Sequence, residues 1–84
     1  YPNPFNPTTT LRYDLSGQAI VTLRIFDILG REITQLVNTT QDAGFKSVQW
    51  DATDNMNRPV TAGVYLYKIE AGEFVQTKKM VLLK

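Results

Sequence analysis

Alternation sets the strongest limit on this chain. In Ala19–Asp27 the apolar Val21, Leu23 and Ile25 occupy every second position, with Thr22 and Arg24 between them. Side chains two apart share a face only in an extended strand, so the segment reads as a half-buried β-strand. Thr8–Leu15 repeats the pattern: Leu11, Tyr13 and Leu15 face one way, Thr10, Arg12 and Asp14 the other. Ser16-Gly17-Gln18 separates the two, and Gly or Pro breaks recur roughly every ten residues thereafter.

Phe45–Asp51, Val64–Ala71 and Phe74–Leu83 read as further strands, the first carrying the single tryptophan, Trp50. Asn38–Gly44 reads as a polar loop, and Ala52–Ala62, "ATDNMNRPVTA", as a long connection. The ambiguous stretch is "ILGREITQLV". Ile28, Ile33, Leu36 and Val37 fall near a 3.6-residue period, as in a short helix. Gly30 and the preceding strand favour a hairpin into a shorter strand over Glu32–Val37. Six to seven short strands rich in β-branched and aromatic residues predict an all-β fold, an immunoglobulin-like antiparallel β-sandwich. No internal repeat stands out.

The last hairpin can be put in register. Gly72-Glu73 suits a two-residue turn with glycine first. Ala71 then faces Phe74, Ile69 faces Gln76, Tyr67 faces Lys78 and Tyr65 faces Met80. This register sets Tyr65, Tyr67, Ile69, Phe74, Met80 and Leu82 on the core face. Val64, Leu66, Val81 and Leu83 fall on the opposite face, with Lys68, Glu70, Thr77 and Lys79. A one-residue slip would exchange the two faces. The final strand is thus apolar on both faces near its end, which suggests that something covers it.

Length makes 1–84 a single domain, burying about 60–65% of its unfolded surface. The net charge of +1 comes from scattered lysines and arginines, too balanced for an electrostatic grip on nucleic acid. No apolar run approaches the ~18 residues of a membrane span, so no membrane insertion is expected. Nothing has the organisation of a signal peptide, and with its start at Tyr1 the chain reads as a fragment or processed piece of something longer.

There is no histidine and no cysteine. That removes Ser-His-Asp and Cys-His nucleophiles, disulfides, and zinc sites built on imidazole or thiolate. Ser16 and Ser47 therefore have no activating base. Asp14, Asp27, Glu32, Asp42, Glu70 and Glu73 sit at strand ends or on outward faces, where a converging acid–base pair is not expected. No enzymatic activity and no cofactor are predicted. Asp51, Asp54, Asn55 and Asn57 share one loop and suggest calcium, but the spacing lacks the glycine and distal glutamate of an EF-hand. Asx turns account for the same residues. Tyr1, Phe5, Phe26, Trp50, Tyr65 and Tyr67 offer rings for sugar stacking, against which stands their use as core filling. Lys78, Lys79 and Lys84 form a mildly basic tail, read either as an edge strand guarded against aggregation or as a recognition element.

The chain opens "YPNPFNP". Proline donates no ladder hydrogen bond and pushes the preceding residue to extended geometry, so 1–7 reads as a stiff extended entry. Phe5 is expected to dock on the sandwich while Pro2, Pro4 and Pro7 keep the approach extended.

Taken in order, "YPNPFNPTTTLRYDL", "VTLRIFDILGREI", "GFKSVQWDATDNMNRPVTAGVYLYKI" and "FVQTKKMVLLK" resemble a C-terminal sorting domain of the type IX secretion system. These domains are similar to the immunoglobulin-like domain of the flagellar hook-capping protein. The resemblance implies a module at the extreme C-terminus of proteins exported across the outer membrane of Bacteroidota-type bacteria, reaching the cell surface or medium by way of the periplasm. The implied partners are the translocon, a sortase-like surface protease that removes the domain, and a covalently attached N-terminal cargo. Carried over by motif, the implied positions are Pro2, Asn3, Pro4 and Phe5 of the entry. Gly63, Val64 and Tyr65 of the penultimate strand and Lys79 to Lys84 of the final strand complete them. The chain departs from the family at Leu15-Ser16, where Leu-Pro is common, and at Ala52 and Asn57, where glycines are common. Asn57 can still serve a left-handed turn, whereas Ala52 leaves the shape of that loop open.

The implied function is a non-catalytic secretion and sorting signal, read by the translocon through Gly63, Tyr65, Lys79, Val81, Leu83 and Lys84. The alternatives are an immunoglobulin-like structural or assembly module of a surface protein or appendage, and a carbohydrate-binding module. Edge strands also leave self-association open.

Overall fold

Strands form where the period of two runs, in a computed structural model that describes residues 8–83. They are β1 (Thr9–Leu15), β2 (Ala19–Asp27), β3 (Glu32–Gln41), β4 (Gly44–Trp50), β5 (Gly63–Ala71) and β6 (Phe74–Leu82). All pairings are antiparallel. β1 and β4 make a two-stranded sheet, and a four-stranded sheet runs β3-β2-β5-β6. Buried residues of both sheets join in one core cluster, which gives the expected all-β sandwich.

β2 is the spine. Val21, Leu23 and Ile25 are 0% exposed and stand opposite Ala71, Ile69 and Tyr67 of β5. Leu11, Tyr13 and Leu15 from β1 and Trp50 from β4 complete the same core. Each buried aliphatic contributes about 1.5–3 kcal/mol, so alternation on β2 alone accounts for much of the fold's preference. On the outer face of β2, Arg24 lies 3.8 Å from Glu32 and 3.9 Å from Glu70, half-exposed ion pairs of small weight.

The ambiguous stretch forms a hairpin, and its helical look has a structural cause. Leu23 pairs with Val37 but Arg24 with Gln35, so Leu36 is an extra residue; Ile25 pairs with Thr34 but Phe26 with Glu32, so Ile33 is another. Each bulge shifts the alternation by one, which leaves Thr34 and Val37 buried three apart. β3 also runs four residues beyond Val37. Asn38–Gln41, read from sequence as loop, pair with Thr22, Val21, Ile20 and Ala19. This is the margin of the sheet, where a partner's backbone defines the strand without burying its side chains.

The β5–β6 register is the expected one, from Ala71–Phe74 through Tyr65–Met80, with Gly72 at φ 62° opening the turn. Phe74 departs from the expectation. It is on the core side but 51% exposed, because two covering strands cannot blanket a sheet of four. The loop left open by Ala52 keeps the geometry glycine would take. Ala52 (φ 64°) and Asn57 (φ 62°) are the positive-φ non-glycine residues of the described chain. For Ala52 that conformation costs about 1–2 kcal/mol. Burial of its methyl group and a 2.9 Å bond from the Val60 N–H to its carbonyl offset the cost.

Candidate functional site

Two loops at one end of the sandwich are built alike. In Asp27-Ile28-Leu29-Gly30-Arg31, the Gly30 N–H donates to the Asp27 carbonyl (3.0 Å) and the Asp27 N–H to the Arg31 carbonyl (2.9 Å). In Asp54-Asn55-Met56-Asn57-Arg58, Asn57 donates to Asp54 (3.0 Å) and Asp54 to Arg58 (2.9 Å). Each is a three-residue hairpin loop, a tight turn followed by a left-handed residue: Gly30 at φ 88°, Asn57 at φ 62°. The aspartate repeats its role too. Asp27 Oδ1 accepts the N–H groups of Leu29 and Arg31, both at 2.9 Å, and Asp54 Oδ1 those of Met56 (2.9 Å) and Arg58 (3.0 Å). The second oxygen takes the Nε of Arg31 at 2.8 Å and of Arg58 at 3.1 Å.

This is an internal repeat of five residues, Asp-x-x-(Gly/Asn)-Arg, that the sequence reading missed. The signal was present: aspartate opens such turns, and glycine or asparagine supplies the left-handed residue three positions on. It also turns the long connection into a small hairpin, with Val60 bonded to Ala52 and Thr53 bridging Pro59. Trp50 Nε1 pins one base of it to the Thr53 carbonyl (2.9 Å), and Tyr65 pins the other through its hydroxyl to the Thr61 carbonyl (2.7 Å). The two rings meet edge to face, 5.3 Å apart at 69°. The Asn55 N–H donates to the Ile33 carbonyl (3.0 Å), tying the second loop to the strand that leaves the first.

The electrostatics follow. Asp27 is held below its ordinary carboxyl value, first by the Arg31 N–H it accepts, partly countered by lost hydration, then by the Arg31 guanidinium. Asp54 is lowered in the same way, first by the Arg58 N–H, against lost hydration, then by the Met56 N–H and the charge of Arg58. These carboxylates are spent on their own loops, the Asx-turn use expected for Asp54. Asp51 accepts from the Thr53 hydroxyl. Among the described residues, no three acidic side chains converge as metal ligands.

The β6 margin is organised differently. Phe74–Lys79 and Val81 are exposed, Met80 half-buried and Leu82 buried. In a two-residue hairpin the flanking pair exchanges both hydrogen bonds, so Phe74, Gln76, Lys78, Met80 and Leu82 bond to β5. Val75, Thr77, Lys79 and Val81 then turn their N–H and C=O groups to the open edge. Beside it, a groove of about 390 Å³ joins the two sheets. Phe74, Gln76 and Lys78 line it from β6, Arg12, Tyr13 and Asp14 from β1, and Phe45 and Lys46 from β4. Phe45 is 89% exposed.

The residues implied by the resemblance scatter across these regions. Tyr65 is in the core against Trp50, and Gly63 opens β5 opposite Leu82. Lys79, Val81 and Leu83 are exposed on or just after β6. Lys84, and Pro2, Asn3, Pro4 and Phe5 of the entry, lie outside the described residues. Of the rings considered for sugar stacking, Trp50, Tyr65 and Tyr67 are buried core.

The model of the FlgD Ig-like domain family matches residues 6–77. Solved structures similar to the chain include FlgD from P. aeruginosa, at a TM-score of 0.74 and 19% identity, covering 92% of this chain and 62% of that one. FlgD from Xanthomonas campestris, described as informative on the hook capping essential for flagellar assembly, is similar at a TM-score of 0.71 and 22% identity. There the match covers 90% of this chain and 56% of the other, so this chain spans less than two thirds of either protein. At these identities the likeness is one of fold. No curated protein matches the chain.

Proposed function

The chain belongs to the FlgD Ig-like domain family, and from that membership we propose that it is a non-catalytic structural or assembly module of a cell-surface protein or appendage. The observation that carries this reading is the family match over residues 6–77, nearly the whole sandwich. The chemistry supports it. The chain has no histidine or cysteine, and its two perturbed carboxylates are engaged in holding loops. Such a module contributes shape, a rigid linkage and a surface. The test is to delete residues 8–83 from the intact protein, or replace them with an unrelated sandwich of similar size, and measure assembly at the cell surface. The reading expects both changes to impair assembly; full assembly with the unrelated sandwich would reduce the chain to a spacer.

A second reading keeps the sorting role, and the ordered motifs favour it: Pro2–Phe5, Gly63–Tyr65 and the final Lys79–Lys84. In that reading an attached cargo crosses the outer membrane through the type IX translocon, a sortase-like protease acts at the surface, and the final strand is the element recognised. Removing Lys79–Lys84 from a cargo fusion would then leave the cargo in the periplasm. Undiminished export would exclude it.

A further inference from the structure

The two regions treat their charges in opposite ways. In the loops each arginine is held by its own aspartate. In the groove beside β6, Arg12, Lys46 and Lys78 meet the single carboxylate of Asp14, and none of these four is ion-paired among the described residues. Three cations against one anion leave the groove net positive. Lys79 adds a further charge on the strand itself. Phe45 and Phe74 stand exposed at the same place, so a ligand here has apolar surface to cover as well as cations to answer. The third component is backbone: four residues of β6 present N–H and C=O groups along one line with no strand partner among the described residues.

We propose that the β6 margin and its groove take an extended acidic segment of a partner protein as an added strand. Main-chain bonds would form to Val75, Thr77, Lys79 and Val81, carboxylates would meet Lys78 and its neighbours, and an apolar side chain would lie across Phe45 and Phe74. Charge decides between occupants. A second copy brings its own Lys78 and Lys79 to the seam, where like charges oppose pairing, whereas an acidic strand is attracted. This inference rests on the reading of the chain as a non-catalytic structural or assembly module and names the kind of partner that module receives.

The test uses the 84-residue chain with three probes. They are a short glutamate–valine peptide with serine at alternate positions, so that valine and glutamate share one strand face, its lysine–valine counterpart, and the glutamate–valine peptide with an N-methylated backbone. The glutamate–valine peptide is expected to shift the amide resonances of Val75, Thr77, Lys79 and Val81, more weakly as salt rises, while the other two leave them unmoved. Lys78→Glu, a change at an exposed position, is expected to weaken that peptide about fivefold without altering the fold. Equal binding of the lysine–valine peptide would overturn the proposal, as would shifts confined to the two loops. Concentration-dependent dimerisation through β6 would overturn it in favour of a second copy. Intact assembly of the parent protein after deletion of the domain counts against the assembly reading alone. Failure of the peptide with assembly still dependent on the domain counts against this inference alone.

Discussion

The paired loops and the β6 margin both carry cationic side chains and backbone groups outside the sheet pairing, and they answer them differently. In the loops, aspartate oxygens take two N–H groups and a guanidinium each, and the backbone closes on itself. At the margin a strand ends its sheet with groups facing outward and with Lys78 and Lys79 in no ion pair among the described residues. The first arrangement is complete within the chain. The second is left open among the described residues, so the margin offers a surface where the loops offer stability.

Variants that separate the two follow in order of size. Trp50→Ala removes the largest buried side chain and the anchor of the second loop. Loss of about 3–5 kcal/mol is expected in a urea titration, enough to unfold a domain of this size at moderate temperature. Gly30→Ala forces alanine to φ 88° in open space, with nothing within 4 Å of the added carbon. The cost is therefore backbone alone, about 1–2 kcal/mol by the same titration. A loss much above that would mean the loop packs more tightly than its geometry shows.

Acid tests the loops together. Asp27 and Asp54 have folded values depressed below the ordinary 3.8. Their contribution is thus fully present above pH 3.8 and is lost as pH falls from there through the folded values. The double variant Asp27→Asn, Asp54→Asn should lower the thermal midpoint at pH 7 and lose less than the natural chain on acidification; parallel acid curves would break the argument. The smallest effects are at exposed positions. Asn57→Gly should stabilise by about 0.5 kcal/mol by relieving a left-handed side chain. Lys78→Glu should change stability by less than about 0.5 kcal/mol while reducing acidic-peptide binding. A large stability loss from Lys78→Glu would erase the distinction between the regions.

Legibility in the sequence followed the same division. β2 and the β5–β6 register were readable because apolar alternation and a glycine-first turn are local signals. β3 was half-legible: two bulges, at Ile33 and Leu36, mimic a helical period, and its polar end is a strand only through its partner. The paired loops were written in the chain as Asp-x-x-(Gly/Asn)-Arg, yet the two copies differ at three of five positions and lie far apart. Only identical hydrogen bonds reveal them as one device.

By itself, then, the order of residues determined an all-β chain, its strand faces and its last hairpin, because burial period and turn chemistry act over a few neighbours. Tertiary structure alone decided which strands became margins. Phe74 is as apolar as core residues, yet exposed, because exposure depends on how many strands lie across it. Two strands over four leave one flank uncovered, and that count appears in no local stretch of sequence.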